Sequence, residues 1–205
     1  ATIIWGLNQD VLTPSMTVVS AGSCTSNALM PILSIMDGAL GINAGIVTTI
    51  HSAMNDQPVI DAYHHTDLRK TRAAFNSVIP VETGLAQGVE RFLPHLGEKI
   101  QARALRVPTL NVSSLDVVLA VNTATSAADV NRIIKEASQS FSGVLSVNEE
   151  PLASCDFLGM DASCVVDTTQ RQVSGGHRID LMIWCDDEWA FSKRLGHSAI
   201  ANVSV

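Results

Sequence analysis

Ser20-Ala21-Gly22-Ser23-Cys24-Thr25-Ser26-Asn27, the apolar run 28–36 behind it and Gly45-Ile46-Val47-Thr48-Thr49-Ile50-His51 decide how this chain is read. The first stretch is a cluster of small and hydroxyl residues, a turn and helix-start signal, preceded by a short strand at Thr17-Val18-Val19. The apolar run follows at helical spacing and is expected to close at Asp37-Gly38. Pro31 is harmless if the helix begins near Asn27 and kinks it if the helix begins earlier. The third stretch is rich in β-branched residues and reads as a buried strand with His51 at its C-terminal end.

Working outward, Ala1-Thr2-Ile3-Ile4-Trp5-Gly6 reads as a strand without lead-in, ending at Asn8-Gln9-Asp10. So abrupt a start suggests a domain excised from a longer protein. Residues 52–82 show no clean period and include the basic stretch Asp67-Leu68-Arg69-Lys70-Thr71-Arg72; a long irregular segment in a compact domain is usually functional. Thr83-Gly84 opens a helix toward Phe92-Leu93, stopped by Pro94. Strands are expected at 100–106, 115–121, 164–167 and 179–184, and helices from Ser126 through Ala137 and from near Glu188. Clustered strands with separated helices predict an α+β fold, a mixed sheet with helices on one face.

The chain has 205 residues, 46% of them apolar, enough for one sizeable core. Twenty acids against thirteen bases give a net charge of −7, which argues against a nucleic-acid partner. Charged residues make up only 16% of the chain, which argues against disorder. No apolar run approaches the roughly 20 residues of a membrane span, and no export signal opens the chain. Cys24, Cys155, Cys164 and Cys185 form no C-x-x-C pair. They are expected as free thiols in a reducing compartment, the cytoplasm.

Cys24 is the first candidate for chemistry. At a strand-to-helix junction it meets the positive end of the helix dipole and free backbone N–H groups, which are expected to lower the thiol pKa and could hold an oxyanion. A buried, inert cysteine is the competing reading. His51, at a strand end, could take the thiol proton; a satisfied core histidine is the alternative. His64, His65, His95, His177 and His197 have no metal-ligand spacing with a cysteine, so no zinc site is expected. Thr83 and Gly84 at a helix start, and Arg106 at a strand end, suit an anion such as phosphate.

Ser23-Cys24-Thr25-Ser26-Asn27 closely resembles the S-C-T-T-N signature of glyceraldehyde-3-phosphate dehydrogenases. Thr48-Thr49-Ile50-His51, Ile79-Pro80-Val81-Glu82-Thr83-Gly84, Arg106-Val107-Pro108-Thr109-Leu110-Asn111-Val112-Ser113 and Trp184-Cys185-Asp186-Asp187-Glu188-Trp189 match that family in order and spacing. The resemblance is to the C-terminal catalytic domain, over essentially the whole chain; the family's N-terminal G-x-G-x-x-G Rossmann domain has no counterpart here. It implies a largely antiparallel mixed sheet and an oxidoreductase of carbohydrate metabolism, glycolysis above all, acting on a phosphorylated aldehyde with NAD or NADP. Cys24 would be the nucleophile and His51 its base. Ser23, Thr25, Thr83 and Gly84 would hold attacking inorganic phosphate, and Arg106 and Lys70 the substrate's phosphate. Residues 187 and 8, Asp187 and Asn8, would face the cofactor. The segment at about 52–82 would be the S-loop, which lines the cofactor cleft and packs at subunit contacts in a homotetramer.

Four positions depart from the pattern. Met54 replaces a phosphate-binding Thr, and Lys70 stands where a second Arg is common, losing the bidentate fork. Ser26 replaces Thr. Asp187 replaces the Asn whose amide orients the nicotinamide carboxamide; a carboxylate accepts but does not donate. The string from His51 to His64, with Trp184-Cys185, is similar to erythrose-4-phosphate dehydrogenases, which need no phosphate acceptor. Substrate choice therefore stays open between glyceraldehyde 3-phosphate and erythrose 4-phosphate, as does NAD against NADP. A non-catalytic interaction domain and a cofactor-free cysteine hydrolase are the remaining alternatives. This stretch by itself is not expected to oxidise aldehydes.

Overall fold

The computed structural model describes the backbone of residues 1–204 and the side chains of 1–201. After an N-terminal segment come helix α1 (Cys24–Leu40), strand β1 (Ile42–His51), β2 (Ile79–Val81), α2 (Leu85–Phe92), β3 (Ile100–Arg106), β4 (Ser113–Val121), α3 (Ala127–Ser140), β5 (Leu145–Asn148), β6 (Cys164–Ser174), β7 (Arg178–Cys185) and α4 (Trp189–Ser204). The strands form one seven-stranded sheet in the order β2-β3-β1-β4-β7-β6-β5. Only β1 with β3 and β5 with β6 run parallel; the other pairs are antiparallel. This is the mixed, largely antiparallel α+β architecture expected. Among the described residues there is no doubly wound parallel unit, and no helix is long and apolar enough to cross a membrane.

Alternation along the central strands explains the layering. Leu115, Val117, Leu119 and Val121 on β4 and Ile179, Leu181 and Ile183 on β7 are buried, and they share a cluster with Leu29, Leu33 and Met36 of α1. Successive strand residues point to opposite faces, so this set lies on the face covered by helices. The intervening Asp116, Val118, Asp180 and Met182 are only partly covered. Past a bulge between Ile42 and Ala44, β1 keeps the same faces, although Thr48, which accepts from Arg103, is buried as well. Val47 and Thr49 are buried while Ile46 is exposed, so His51 lies on the helix-bearing side. Gly45 is required by close approach: a Cβ there would lie 2.7 Å from Ile100 Cδ1 and 2.8 Å from Leu119 Cδ2.

The structure corrects several element boundaries. Residues 1–6 and 17–19 are not strands; a single parallel bridge joins Thr2 to Ser20. Helix α1 starts earlier than the apolar run suggests, because Ser23 Oγ caps it by accepting from the Ser26 N–H at 3.1 Å, and Pro31 therefore lies inside the helix. It also runs past Asp37-Gly38 to Gly41, whose φ of 68° ends it. Asp37 Oδ1 instead accepts from the Ile42 N–H at 2.7 Å, tying helix to strand. The short strands β2 and β5 were not expected. Each has too few residues to show a period, and each is held as an edge by a longer neighbour.

Candidate functional site

Cys24 is the first residue of α1. The turn before it is built by Gly22, at φ +71° with Ile4 beneath it, and by Asn27, whose Nδ2 donates to Ala21 O at 2.7 Å and Ser23 O at 2.8 Å. The helix-bearing face of β1 delivers His51 to the same point: Cys24 Sγ lies 3.8 Å from His51 Nε2. His51 Nδ1 sits 2.9 Å from the Ser52 carbonyl oxygen. That oxygen is an acceptor only, so Nδ1 carries the hydrogen, and in the neutral ring Nε2 offers its lone pair toward the sulfur.

Asp187 completes the group. Its Oδ1 is 3.9 Å from His51 Nε2 and 3.7 Å from Cys185 Sγ. Its Oδ2 accepts from Ser52 Oγ at 2.8 Å and from Ser113 Oγ. Ser113 pairs with Cys185 across the β4–β7 ladder, which sets it beneath Asp187, and its Oγ also accepts from the Ser52 N–H at 3.0 Å. Asn111 Oδ1 accepts from the Asp187 N–H at 3.1 Å, while Asp186 accepts from Asn111 Nδ2 and the Trp189 N–H at the start of α4. Val112, between Asn111 and Ser113, takes a φ of 61°, costly for a β-branched residue and fixed here by its burial.

The electrostatics reverse one expectation. Burial, then the Asp187 carboxylate, push the Cys24 thiol up to about 12, although the Thr25 and Cys24 N–H groups pull the other way. Helix dipole and N–H groups alone would favour thiolate; a nearby anion and partial desolvation outweigh them. Cys24 is thus held as a thiol, not as a pre-formed thiolate. All four cysteines are free.

A cavity of about 860 Å³ opens over Cys24 and His51. Ser23, Thr25, Met54, Thr83, Gly84 and Arg106 all line it. Ser23 Oγ and Thr25 Oγ1 are 3.2 Å apart, and Thr83 Oγ1 accepts from the Leu85 N–H at 3.2 Å. Arg106 is nearly covered, and its guanidinium pairs with Asp56, which also binds Lys70 Nζ at 2.9 Å. Burial works against the Asp56 anion, but hydrogen bonds from Lys70 and Arg106 hold it below the usual carboxylate range. Lys70 itself lies on a separate depression with Thr66, Arg69 and Glu82. Asn8 is not brought to the cavity: its side chain accepts from the Ile4 N–H at 2.7 Å and donates to Thr2 O at 3.1 Å, closing a local turn.

The sequence matches the family described as glyceraldehyde 3-phosphate dehydrogenase, C-terminal domain, over residues 23–187. The chain belongs to that family. Its matched span begins at the Ser23 cap and ends at Asp187, so it encloses the whole cysteine–histidine–aspartate group of this glyceraldehyde 3-phosphate dehydrogenase-type domain. Sequence reasoning missed Ser52, Ser113 and Asp56. Serines carry no local signal, and Asp56 lies in the segment without a clean period; only the ladder register and the fold of 52–82 bring them to the site.

Proposed function

We propose that this domain carries the catalytic half of an NAD(P)-dependent phosphorylated-aldehyde dehydrogenase, with glyceraldehyde 3-phosphate as substrate and 1,3-bisphosphoglycerate as product. The observation that carries this reading is Cys24 Sγ standing 3.8 Å from His51 Nε2 at the floor of the cavity that Arg106 lines. Cys24 Sγ bonds to the aldehyde carbon while its proton passes by way of His51 Nε2 to the former carbonyl oxygen, giving a hemithioacetal and returning His51 to its neutral form. His51 then takes the hydroxyl proton of that adduct, a contribution of about 10²–10⁴-fold. The product of oxidation is a thioester on Cys24, whose carbonyl stays open to attack by phosphate. Ser23, Thr25, Thr83 and the Gly84 backbone supply hydroxyl and N–H groups for that phosphate, and Arg106 faces the substrate's own phosphate.

NAD or NADP supplies the two-electron acceptor when bound. Asp187 Oδ1 has only loose contacts, at 3.7 and 3.9 Å, and so retains capacity to accept from a carboxamide NH2. It fits such a group as an acceptor alone. The four free thiols support a reducing, cytoplasmic setting. The exposed apolar residues Val59, Ile60, Tyr63 and Leu68 support subunit contact by the 52–82 segment in a homo-oligomer, a tetramer by the family's habit.

Met54 favours a second reading. It lies on the cavity wall and donates no hydrogen bond, and Asp56 already engages Arg106. Weak phosphate binding suits erythrose 4-phosphate oxidised to 4-phosphoerythronate, with water attacking the thioester. The test is kcat/KM of the natural polypeptide carrying this domain for both aldehydes, with and without inorganic phosphate. Cys24→Ser should abolish turnover, and His51→Asn should slow oxidation while leaving Cys24 no less open to alkylation than in the parent. Normal turnover by Cys24→Ser overturns the assignment.

A further inference from the structure

We propose that Cys24, His51 and Asp187 form a binding site for one divalent transition-metal ion, zinc by preference, whose capture reversibly blocks the nucleophile. The three residues come from the start of α1, the end of β1 and the turn after β7, yet Cys24 Sγ, His51 Nε2 and Asp187 Oδ1 all lie within 4.8 Å of one another. Two of the separations are 3.8 and 3.9 Å. In a tetrahedral zinc site with bonds of about 2.0–2.3 Å, ligand atoms stand roughly 3.3–3.7 Å apart. Small side-chain shifts therefore bring all three onto one ion.

The surrounding groups already orient the donors as such a site requires. The hydrogen on His51 Nδ1 is committed to Ser52 O, so Nε2 is the coordinating nitrogen. Asp187 Oδ2 is committed to Ser52 and Ser113, so Oδ1, which the Cys185 thiol approaches at 3.7 Å, is the oxygen left within 4.8 Å of Cys24 Sγ and His51 Nε2. A mixed S, N, O set selects zinc and its neighbours over magnesium or calcium, which prefer oxygen alone. On binding, the Cys24 thiol loses its proton to solvent as the metal–sulfur bond forms, and no electron moves. The fourth position faces the cavity, open to water or a small anion. Asp187 is decisive: thiolate plus carboxylate balance a doubly charged ion, whereas a neutral amide there would leave it half compensated. Sequence spacing gave no hint of this site, since its donors are 27 and 136 residues apart.

The inference stands apart from aldehyde oxidation, and its test is read without turnover. The chain is titrated anaerobically with cobalt(II) alone, then with zinc. One equivalent of cobalt should give a thiolate-to-cobalt charge-transfer band with the intense visible bands of four-coordination, and zinc should bleach them. Cys24→Ser should remove the charge-transfer band, and Asp187→Asn should weaken zinc by about tenfold or more. Cys155→Ser, a control for the exposed thiol, should change neither. Circular dichroism checks that each variant folds, and absence of the band in the wild type is decisive without any variant. Absence of one-to-one cobalt binding, a band that survives Cys24→Ser, or unchanged zinc affinity in Asp187→Asn overturns the proposal. Cobalt binding as described, with no aldehyde oxidation by the natural polypeptide carrying this domain, upholds it while sinking the dehydrogenase reading; turnover by that polypeptide without the cobalt spectrum does the reverse.

Discussion

Asp187 sets an anion beside the sulfur that the helix start would otherwise make reactive. The consequence is measurable. Burial and Asp187 hold Cys24 up at about 12, so its alkylation by iodoacetamide near neutrality should be slow. Asp187→Asn removes the charge but keeps the shape. It should raise the alkylation rate at pH 7, by about tenfold for each unit of pKa that the lost charge releases. A rate–pH profile that does not move on this substitution would show that burial alone controls the thiol. Ser52 and Ser113 act through Asp187, holding one carboxylate oxygen so that the other faces the histidine.

Among the elements, α1 carries the greatest burden, since it both fills the core and presents Cys24. Its cap is a single hydroxyl. Ser23→Ala should cost about 0.5–2 kcal/mol in urea unfolding. Leu33, fully buried on the same helix, should cost roughly 2–5 kcal/mol on replacement by Ala. The sheet makes its own prediction. Asp180, on the partly covered face, is raised to about 6 by burial and by Asp116 on the neighbouring strand. A carboxylate raised in the folded state contributes stability below its unfolded pKa and loses it as pH climbs through the folded value. The melting temperature of Asp180→Asn relative to the parent should therefore improve between pH 4 and roughly 6.5. A constant difference across that window would refute the Asp116–Asp180 coupling.

For the whole molecule, the proposed homo-oligomer would use the uncovered sheet face and the 52–82 segment. Ile46 is 55% exposed in the middle of the sheet. Ile46→Asp should shift a self-associating chain toward the monomer in sedimentation velocity without unfolding it; an unchanged distribution would exclude this face from the contact. The amino-acid order alone specified the central helices and strands, because their apolar residues repeat at the period of one element. It also marked Cys24, His51, Thr83, Gly84 and Arg106, because each stands at the end of such an element, where side chains and backbone groups emerge. What the order could not specify was the thiol's protonation, the pairing of Arg106 with Asp56, the local role of Asn8, or the meeting of residues 24, 51 and 187. Those depend on strand register and on charges brought close through space, and only the folded chain fixes either.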